Sequence, residues 1–224
     1  MAKDVSRIKV VTIDVDGCLV SYDNVGTTFR SSWDALGCAY GLQDKWNRRT
    51  EKFYDSLRGT NDHSWAETNV AELAGKSVQE ALKILYPIPY CAGAREFADA
   101  SKGKFTRGLL TTAIDLVAKK AEEELGFDFC MCNTLHRNNG TFAGTLDYDV
   151  PTWLKHTKLL RICGKYFVKP KEICHIGDNE NDVDVAEKVG MFIALKPKTP
   201  KVEKKGDYVV NDFFEVGRIL GVLK

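Results

Sequence analysis

Lys9-Val10-Val11-Thr12-Ile13-Asp14-Val15-Asp16-Gly17-Cys18-Leu19 is a short apolar, β-branched run that ends in two acids and a glycine. A strand covered by helices on both faces has that composition, because neither face meets water. The acids stand where the run stops, and in open α/β sheets ligands bind beyond the carboxyl ends of the strands. Asp16-Gly17 is equally an ordinary turn dipeptide. Taken alone, the stretch leaves a turn and an active site both open.

Beyond Leu19 the strand-like texture gives way to helical periodicity from Val25 to Tyr86. Phe29, Trp33, Leu36 and Tyr40 share one stripe at helical spacing, with Gly41 as a stop. Trp46, Phe53 and Leu57 mark a second helix ending at Gly59. Ser64-Trp65-Ala66-Glu67 and Ser77-Val78-Gln79-Glu80 both have the S-x-x-E form of a capping box, whose side chains satisfy free backbone donors of the first turn. Stripes of this kind ordinarily pack a core, so the aromatics are read as core and not as a ligand cage. Pro87-Ile88-Pro89 ends the helical stretch.

From Lys104 strands and helices alternate. Phe105 to Thr111 reads as a strand, and Ile114, Val117, Ala118, Ala121 and Leu125 form a helical stripe closed by Gly126. Cys130–Leu135 and Thr141–Leu146 flank Asn138-Asn139-Gly140, a hairpin signal because Asn-Gly tolerates the positive φ of a tight turn. Pro151 to Cys163 reads as a helix stopped by Gly164, Glu172 to Ile176 as a strand, Asp182 to Val189 as a helix and Met191 to Leu195 as a strand. The basic loop Lys196-Pro197-Lys198-Thr199-Pro200-Lys201 is read as a solvated connection, followed by a strand over Tyr208–Val210 and a final helix capped by Asp212. The pattern predicts an α/β fold, a doubly wound (Rossmann-like) parallel sheet core over residues 1–20 and 90–224. Residues 21–89 form an inserted helical cap domain in this division.

Composition narrows the function classes. Lys and Arg number 32 against 31 Asp and Glu, so no basic excess points to nucleic acid. No apolar run has the length of a membrane span, and Met1-Ala2-Lys3-Asp4 leads into a strand instead of the apolar core of a signal peptide. The seven cysteines are scattered and form no C-x-x-C, which fits a reducing cytoplasm. The four histidines share no metal-ligand spacing, and His175 falls within a strand as a packed core residue. The expectation is a cytoplasmic monomer or homodimer with no nucleic-acid or membrane partner.

Three further places repeat the pattern of Asp14, a polar residue just past an apolar strand. Thr111 and Thr112 follow Leu109-Leu110, Asp178 follows Cys174-His175-Ile176-Gly177, and Lys155 lies on the helix leading towards that last strand. In a parallel sheet these positions converge on one edge, where carboxylates, a hydroxyl and an ammonium would meet.

With those residues in view, the sequence resembles the haloacid dehalogenase-like superfamily of phosphotransferases, and within it the phosphoserine phosphatase-like branch. Asp14-Val15-Asp16-Gly17 matches the first family motif, D-x-D-G, and Leu109-Leu110-Thr111 the second. Lys155 matches the third, and Gly177-Asp178-Asn179-Glu180-Asn181-Asp182 the fourth, G-D-x-x-N-D. The helical insertion falls between the first and second motifs, as in that branch.

The resemblance implies a Mg²⁺-dependent phosphatase hydrolysing a small phosphomonoester through an aspartyl-phosphate. Asp14 would be the nucleophile and Asp16 the acid that protonates the leaving alcohol and then activates water. Thr111 would donate its hydroxyl, Lys155 would place a charge on the transferring oxygens, and Lys158, on a similar helical face, is the rival for that role. Mg²⁺ would be held by Asp14, the backbone carbonyl of Asp16, and Asp178. Asp182 would join that metal set and, with Asn181, orient Lys155 and the metal waters. By the same resemblance Gly17, Thr112 and Asn181 would complete the phosphate cradle. The acid at Asp16 excludes family dehalogenases and ion pumps, which lack it. Thr112-Ala113 stands where the nearest phosphatases carry glycines. Asp23 is the candidate acid for the amino-acid end of a phosphoserine-like substrate, with Arg58, Arg30, Arg48 or Arg49 as its cationic partner. A phosphomutase or phosphotransferase and a non-catalytic phosphate-binding, receiver-like module are the alternatives.

Overall fold

The computed structural model describes residues 3–22, 31–54, 56, 58, 60 and 62–224. β1 (Val10–Ile13) is followed by helices α1 (Ser32–Cys38), α2 (Gln43–Tyr54), α3 (Ser64–Ala71) and α4 (Val78–Leu85). Then come α5 (Ala94–Ser101), β2 (Thr106–Ile114), α6 (Asp115–Leu125), and the strands β3 (Phe129–Asn138) and β4 (Thr141–Asp147). The chain continues through α7 (Leu159–Tyr166), β5 (Ile173–Gly177), α8 (Val183–Ala186) and β6 (Met191–Leu195). It ends in α9 (Pro200–Lys205), β7 (Tyr208–Val210) and α10 (Phe213–Ile219).

The strands form one seven-stranded sheet in the order β4-β3-β2-β1-β5-β6-β7, parallel except for the β3–β4 pair. β1 is buried at every position, and its side chains alternate between two cores. Val11 and Ile13 join Leu109 and Ile176 on one face, while Val10 joins Leu110 and Ile173 on the other. That double burial explains the uninterrupted apolar run. Leu36, Trp46, Val70, Leu73, Ala81 and Leu85 of the segment between β1 and β2 enter the core on the Ile13 face.

From β1 the chain winds outward to β2 and β3, then returns to lay β5 beside β1 and winds the opposite way. The reversal opens a crevice at the carboxyl ends of β1 and β5, the usual ligand position in such sheets. Asp14 follows one of these strands and Asp178 the other.

Several local expectations hold with changed details. The two-residue hairpin turn has Asn139 at φ 49° and Gly140 at φ 79°, and Asp212 caps α10 by accepting the Glu215 N–H at 2.8 Å. Ser64 is the first helical residue of α3 instead of its cap, and the Asp62 carboxylate accepts the Ser64 N–H at 2.9 Å. Ser77 stands at the N-cap of α4, without a side-chain capping hydrogen bond. The helix expected over Pro151–Cys163 is a 3-10 turn at Lys155–Lys158 followed by α7. α7 runs through Gly164 and stops where Phe167 turns to φ 54°. An interior glycine weakens a helix without ending it. Phe29, Leu57 and Gly59 lie outside the described residues. Among the described residues no helix is long and apolar enough to cross a membrane.

Candidate active site

The backbone extends the β1 ladder by one step, the Asp14 N–H donating to Ile176 O at 2.9 Å. The Asp14 side chain is buried, and Lys155 meets it from the 3-10 turn ahead of α7. Lys155 Nζ lies 3.2 Å from Asp14 Oδ1 and 2.5 Å from Asp182 Oδ1, with no exposed surface. Burial alone would favour the neutral amine, but the Asp14 and Asp182 carboxylates outweigh it and hold the ammonium well above its usual pKa.

Asp182 is a brace with both oxygens engaged. Oδ1 accepts from Lys155 and from His175 Nε2 at 3.0 Å, and Oδ2 accepts the N–H groups of Asp178 and Asn179 at 3.1 Å each. Burial raises the pKa of this carboxyl, yet Lys155 and His175 hold it well below the carboxylate range. The other ring nitrogen, Nδ1, lies 2.9 Å from the Thr12 hydroxyl, which also reaches Cys174 O at 3.4 Å. His175 is therefore a core residue, as expected, and also a support for the site. A Cβ on Gly177 would come within 2.4 Å of the Asp182 side chain, so the loop can fold back only over a glycine.

Asp16 accepts the N–H of Ser32 at 2.8 Å and its hydroxyl at 2.7 Å, which ties the first residue of α1 to the end of β1. Its enclosed position pushes its pKa from 3.8 up to about 7, the Ser32 hydrogen bonds opposing the rise. Gly17 has φ +86°, and a Cβ there would lie 2.4 Å from both Asp178 Oδ2 and Lys198 Nζ. Thr111 is fully buried, and its hydroxyl accepts from Ala113 N–H at 3.1 Å and Val15 N–H at 3.4 Å.

Lys198, from the basic loop after β6, reaches the same place. Its Nζ stands 2.7 Å from Asp178 Oδ2, while its N–H donates to Asp178 O at 2.8 Å. Burial raises the pKa of Asp178, the Asp14 and Asp182 charges add to the rise, and Lys198 opposes it. The loop expected to be only a solvated connection thus delivers a cation to the site. It follows an apolar strand, the same signal that marks Asp14 and Asp178.

Asp14 Oδ1 and both oxygens of Asp178 are buried without a hydrogen-bond partner. Their contacts with Lys155 and Lys198 have ion-pair distance but not hydrogen-bond alignment. Asp14, Asp178 and Asp182 each offer an oxygen within 4.8 Å of the others. Asp14 and Asp178 thus hold hard, anionic oxygens open, the donor set that Mg²⁺ takes, and so fit that ion, while both Asp182 oxygens beside them are already engaged.

Asp14, Asp16, Thr112, Asn179, Asn181 and Lys198 line a cavity of about 200 Å³ with residues of α1, α2 and α3. Asn181 is buried, and its Oδ1 has no partner. Lys158 is elsewhere, 3.0 Å from Asp149 Oδ1, so Lys155 alone of the two lysines reaches Asp14. Asp23 and Arg30 lie outside the described residues. Arg58 pairs with Glu180 at 2.8 Å, Arg49 with Glu72 at 2.7 Å, and Arg48 is exposed. Leu36 and Trp46 are core as expected, and Trp33 packs against that core while also lining the cavity, as Trp65 does.

A family model described as haloacid dehalogenase-like hydrolase matches residues 8–190. The phosphoserine phosphatase of Archaeoglobus fulgidus is 24% identical over 193 residues, covering 85% of this chain and 53% of that protein. That of Polaromonas sp. is 23% identical over 216 residues, covering 92% of this chain and 86% of that protein. The chain spans about half the length of the Archaeoglobus fulgidus and Streptomyces coelicolor relatives, 53% and 47%. A solved substrate-bound phosphoserine phosphatase complex has the same fold, with a TM-score of 0.76 at 21% identity over 97% of this chain and 99% of that one. With most of its length matched, the chain belongs to the haloacid dehalogenase-like hydrolases.

Proposed function

We propose that this chain is a Mg²⁺-dependent phosphatase that hydrolyses a small phosphomonoester through an aspartyl-phosphate on Asp14. The observation that carries this reading is Lys155, an ammonium without exposed surface fixed between Asp14 and Asp182. A buried ion pair is a poor source of stability, since desolvation cancels most of its attraction. An arrangement that adds little to stability, in a cleft at the switch point of the sheet, points to chemistry.

A carboxylate attacking a phosphate dianion meets charge repulsion, so cations have to line the path. Lys155 stands beside the Asp14 carboxylate and Lys198 beside Asp178. Mg²⁺ held by Asp14, Asp178 and the main-chain carbonyl of Asp16 would add the positive charge that screens this repulsion, with Asp182 bracing the loop. An Asp14 oxygen attacks phosphorus, and the bond from phosphorus to the ester oxygen breaks. Asp16 gives its proton to the departing alkoxide, a role suited to a carboxyl with a pKa near 7. Asp16, now ionised, takes a proton from water as that water attacks the acyl phosphate, which frees Asp14 and inorganic phosphate. Asn181, with its open Oδ1 on the cavity, and Thr112 border the space for the ester. Gly17 lets the backbone pass close to it.

Asp14→Asn tests the nucleophile. With Mg²⁺ and p-nitrophenyl phosphate, the wild type should release phosphate and retain label after acid quenching of a ³²P-phosphoester. The variant should do neither while keeping its circular dichroism spectrum. Undiminished phosphate release from Asp14→Asn refutes the assignment.

A further inference from the structure

The side of the cavity facing Asp14 and Asp16 is built from Ser31, Trp33, Asp34, Asn47, Thr50 and Trp65. Its chemistry is aromatic and acidic. The Trp33 and Trp65 rings meet with centroids 5.7 Å apart and planes at 59°, a corner and not a stack. Trp33 is fixed by its Nε1–H, which donates to Thr112 O at 3.1 Å, and Trp65 by an edge contact with Tyr148 at 6.4 Å. Asp34 Oδ2 accepts the Ser31 hydroxyl at 2.7 Å, the side-chain arm of the α1 cap. That contact engages one carboxylate oxygen, and no described residue bonds Oδ1.

No described residue of the cavity balances Asp34. Lys198 is the cation among the described lining residues, and it is paired with Asp178 at 2.7 Å on the phosphoryl side. Arg49 donates to Asn69 and Glu72, and Arg58 pairs with Glu180 and lies 4.2 Å over the Trp153 ring. A substrate carboxylate on this wall would face a like charge, which disfavours it. An ammonium group would face a carboxylate and two indole rings, whose quadrupoles attract cations.

Resting on the phosphatase reading, we propose that the alcohol part of the substrate carries an organic ammonium group and no carboxylate. The cation lodges at the Trp33–Trp65 corner beside Asp34 while the phosphoryl group meets Asp14.

The test uses the full chain with Mg²⁺ and compares kcat/KM across defined esters. Phosphocholine and phosphoethanolamine carry the ammonium, 3,3-dimethylbutyl phosphate is the uncharged isostere of phosphocholine, and O-phosphoserine and 2-phosphoglycolate carry carboxylates. p-Nitrophenyl phosphate reports whether the chain is a phosphatase at all. One ammonium ester should exceed both the isostere and the carboxylate esters by about tenfold. Asp34→Asn, whose amide oxygen can still accept from Ser31, should collapse the ratio between phosphocholine and its isostere. Faster turnover of a carboxylate ester, equal turnover of the isostere, or an unchanged ratio in Asp34→Asn overturns the inference. Turnover of p-nitrophenyl phosphate alone overturns it too and spares the phosphatase reading. Inertness towards every ester sinks both.

Discussion

Replacing Lys155 by methionine removes one charge from a closed site and changes little else. The ammonium has no exposed surface and stands 3.2 Å from Asp14 and 2.5 Å from Asp182. Methionine fills most of the stem, so the perturbation is electrostatic and leaves buried carboxylates without their shared cation. Breaking a buried pair in this way costs about 3–5 kcal/mol. Asp182 keeps donors from His175, Asp178 and Asn179, which places the expected loss near the lower end, at about 3 kcal/mol. Lys158→Met is the internal control. Its ion pair with Asp149 at 3.0 Å is solvent-facing, with side chains 22% and 38% exposed. Such pairs contribute about 1 kcal/mol or less.

In a chain of 224 residues, 1 kcal/mol moves the melting midpoint by about 2–4 °C. Lys155→Met should therefore melt about 6–12 °C below the wild type, and Lys158→Met within about 4 °C of it. Calorimetry in metal-free buffer, with urea unfolding followed by tryptophan fluorescence, reads both. Equal shifts for the two variants, or a Lys155→Met protein within about 4 °C of wild type, would refute the reasoning. The buried triad would then be solvated or already neutral.

Three further perturbations probe the surroundings. Gly17→Ala forces a side chain to φ +86° and a Cβ to 2.4 Å from Asp178 and Lys198, so it should lower stability by about 1–3 kcal/mol and weaken Mg²⁺-induced thermal stabilisation. A Mg²⁺ shift as large as that of wild type would show that the close approach is immaterial. Lys198→Met removes a partly exposed cation from a fully buried carboxylate, so the metal-free variant should melt lower and gain more from Mg²⁺ than wild type does. An equal gain would mean that Lys198 does not compensate Asp178. Burial would raise the pKa of Glu72, but Arg49, Lys45 and Trp46 outweigh it and hold the carboxyl below 4.5. A depressed acid contributes stability above its unfolded pKa and loses it as pH falls through the folded one. Glu72→Gln should thus lower the midpoint at pH 7, with the gap closing as pH drops below 4.5, and a gap independent of pH would exclude the ion pairs as its source.

What could be read from the sequence is what neighbouring residues decide among themselves. β1 is recognisable because burial on both faces demands an unbroken apolar run, and Val10 to Ile13 supply it. The Asn139-Gly140 turn is recognisable because both residues take positive φ. The loop from Gly177 to Asp182 closes on itself, with Asp182 accepting N–H groups four and three residues before it. Periodicity fares worse when the question is what a helix face meets. Trp33 and Leu36 share a stripe and a core, yet Leu36 is wholly enclosed there while Trp33 also borders the cavity. The same limit applies to Lys155 and Lys158, whose spacing is equivalent either way. Asp149, nine residues from Lys158, draws one outward, while Asp14 and Asp182 hold the other inside.

Lys198 shows how one rule, carried through the topology, reaches further than motif matching. β2, β1, β5 and β6 are consecutive strands of the sheet and run in the same direction, so their carboxyl ends share one edge. Each then contributes to that edge from the residues at or just past its apolar run: Thr111 and Thr112, Asp14 and Asp16, Asp178, and Lys198. β6 pairs with β5 in a register that sets Gly177 against Ala194, which brings the loop after Leu195 alongside Asp178. A left-handed turn at Lys196, φ 45°, and the Lys198 N–H on Asp178 O then direct the side chain inward. A run of lysines and prolines looks solvated when judged by composition. Judged by the strand it follows and by the acid that ends the neighbouring strand, its third residue is the counter-charge that a buried Asp178 requires.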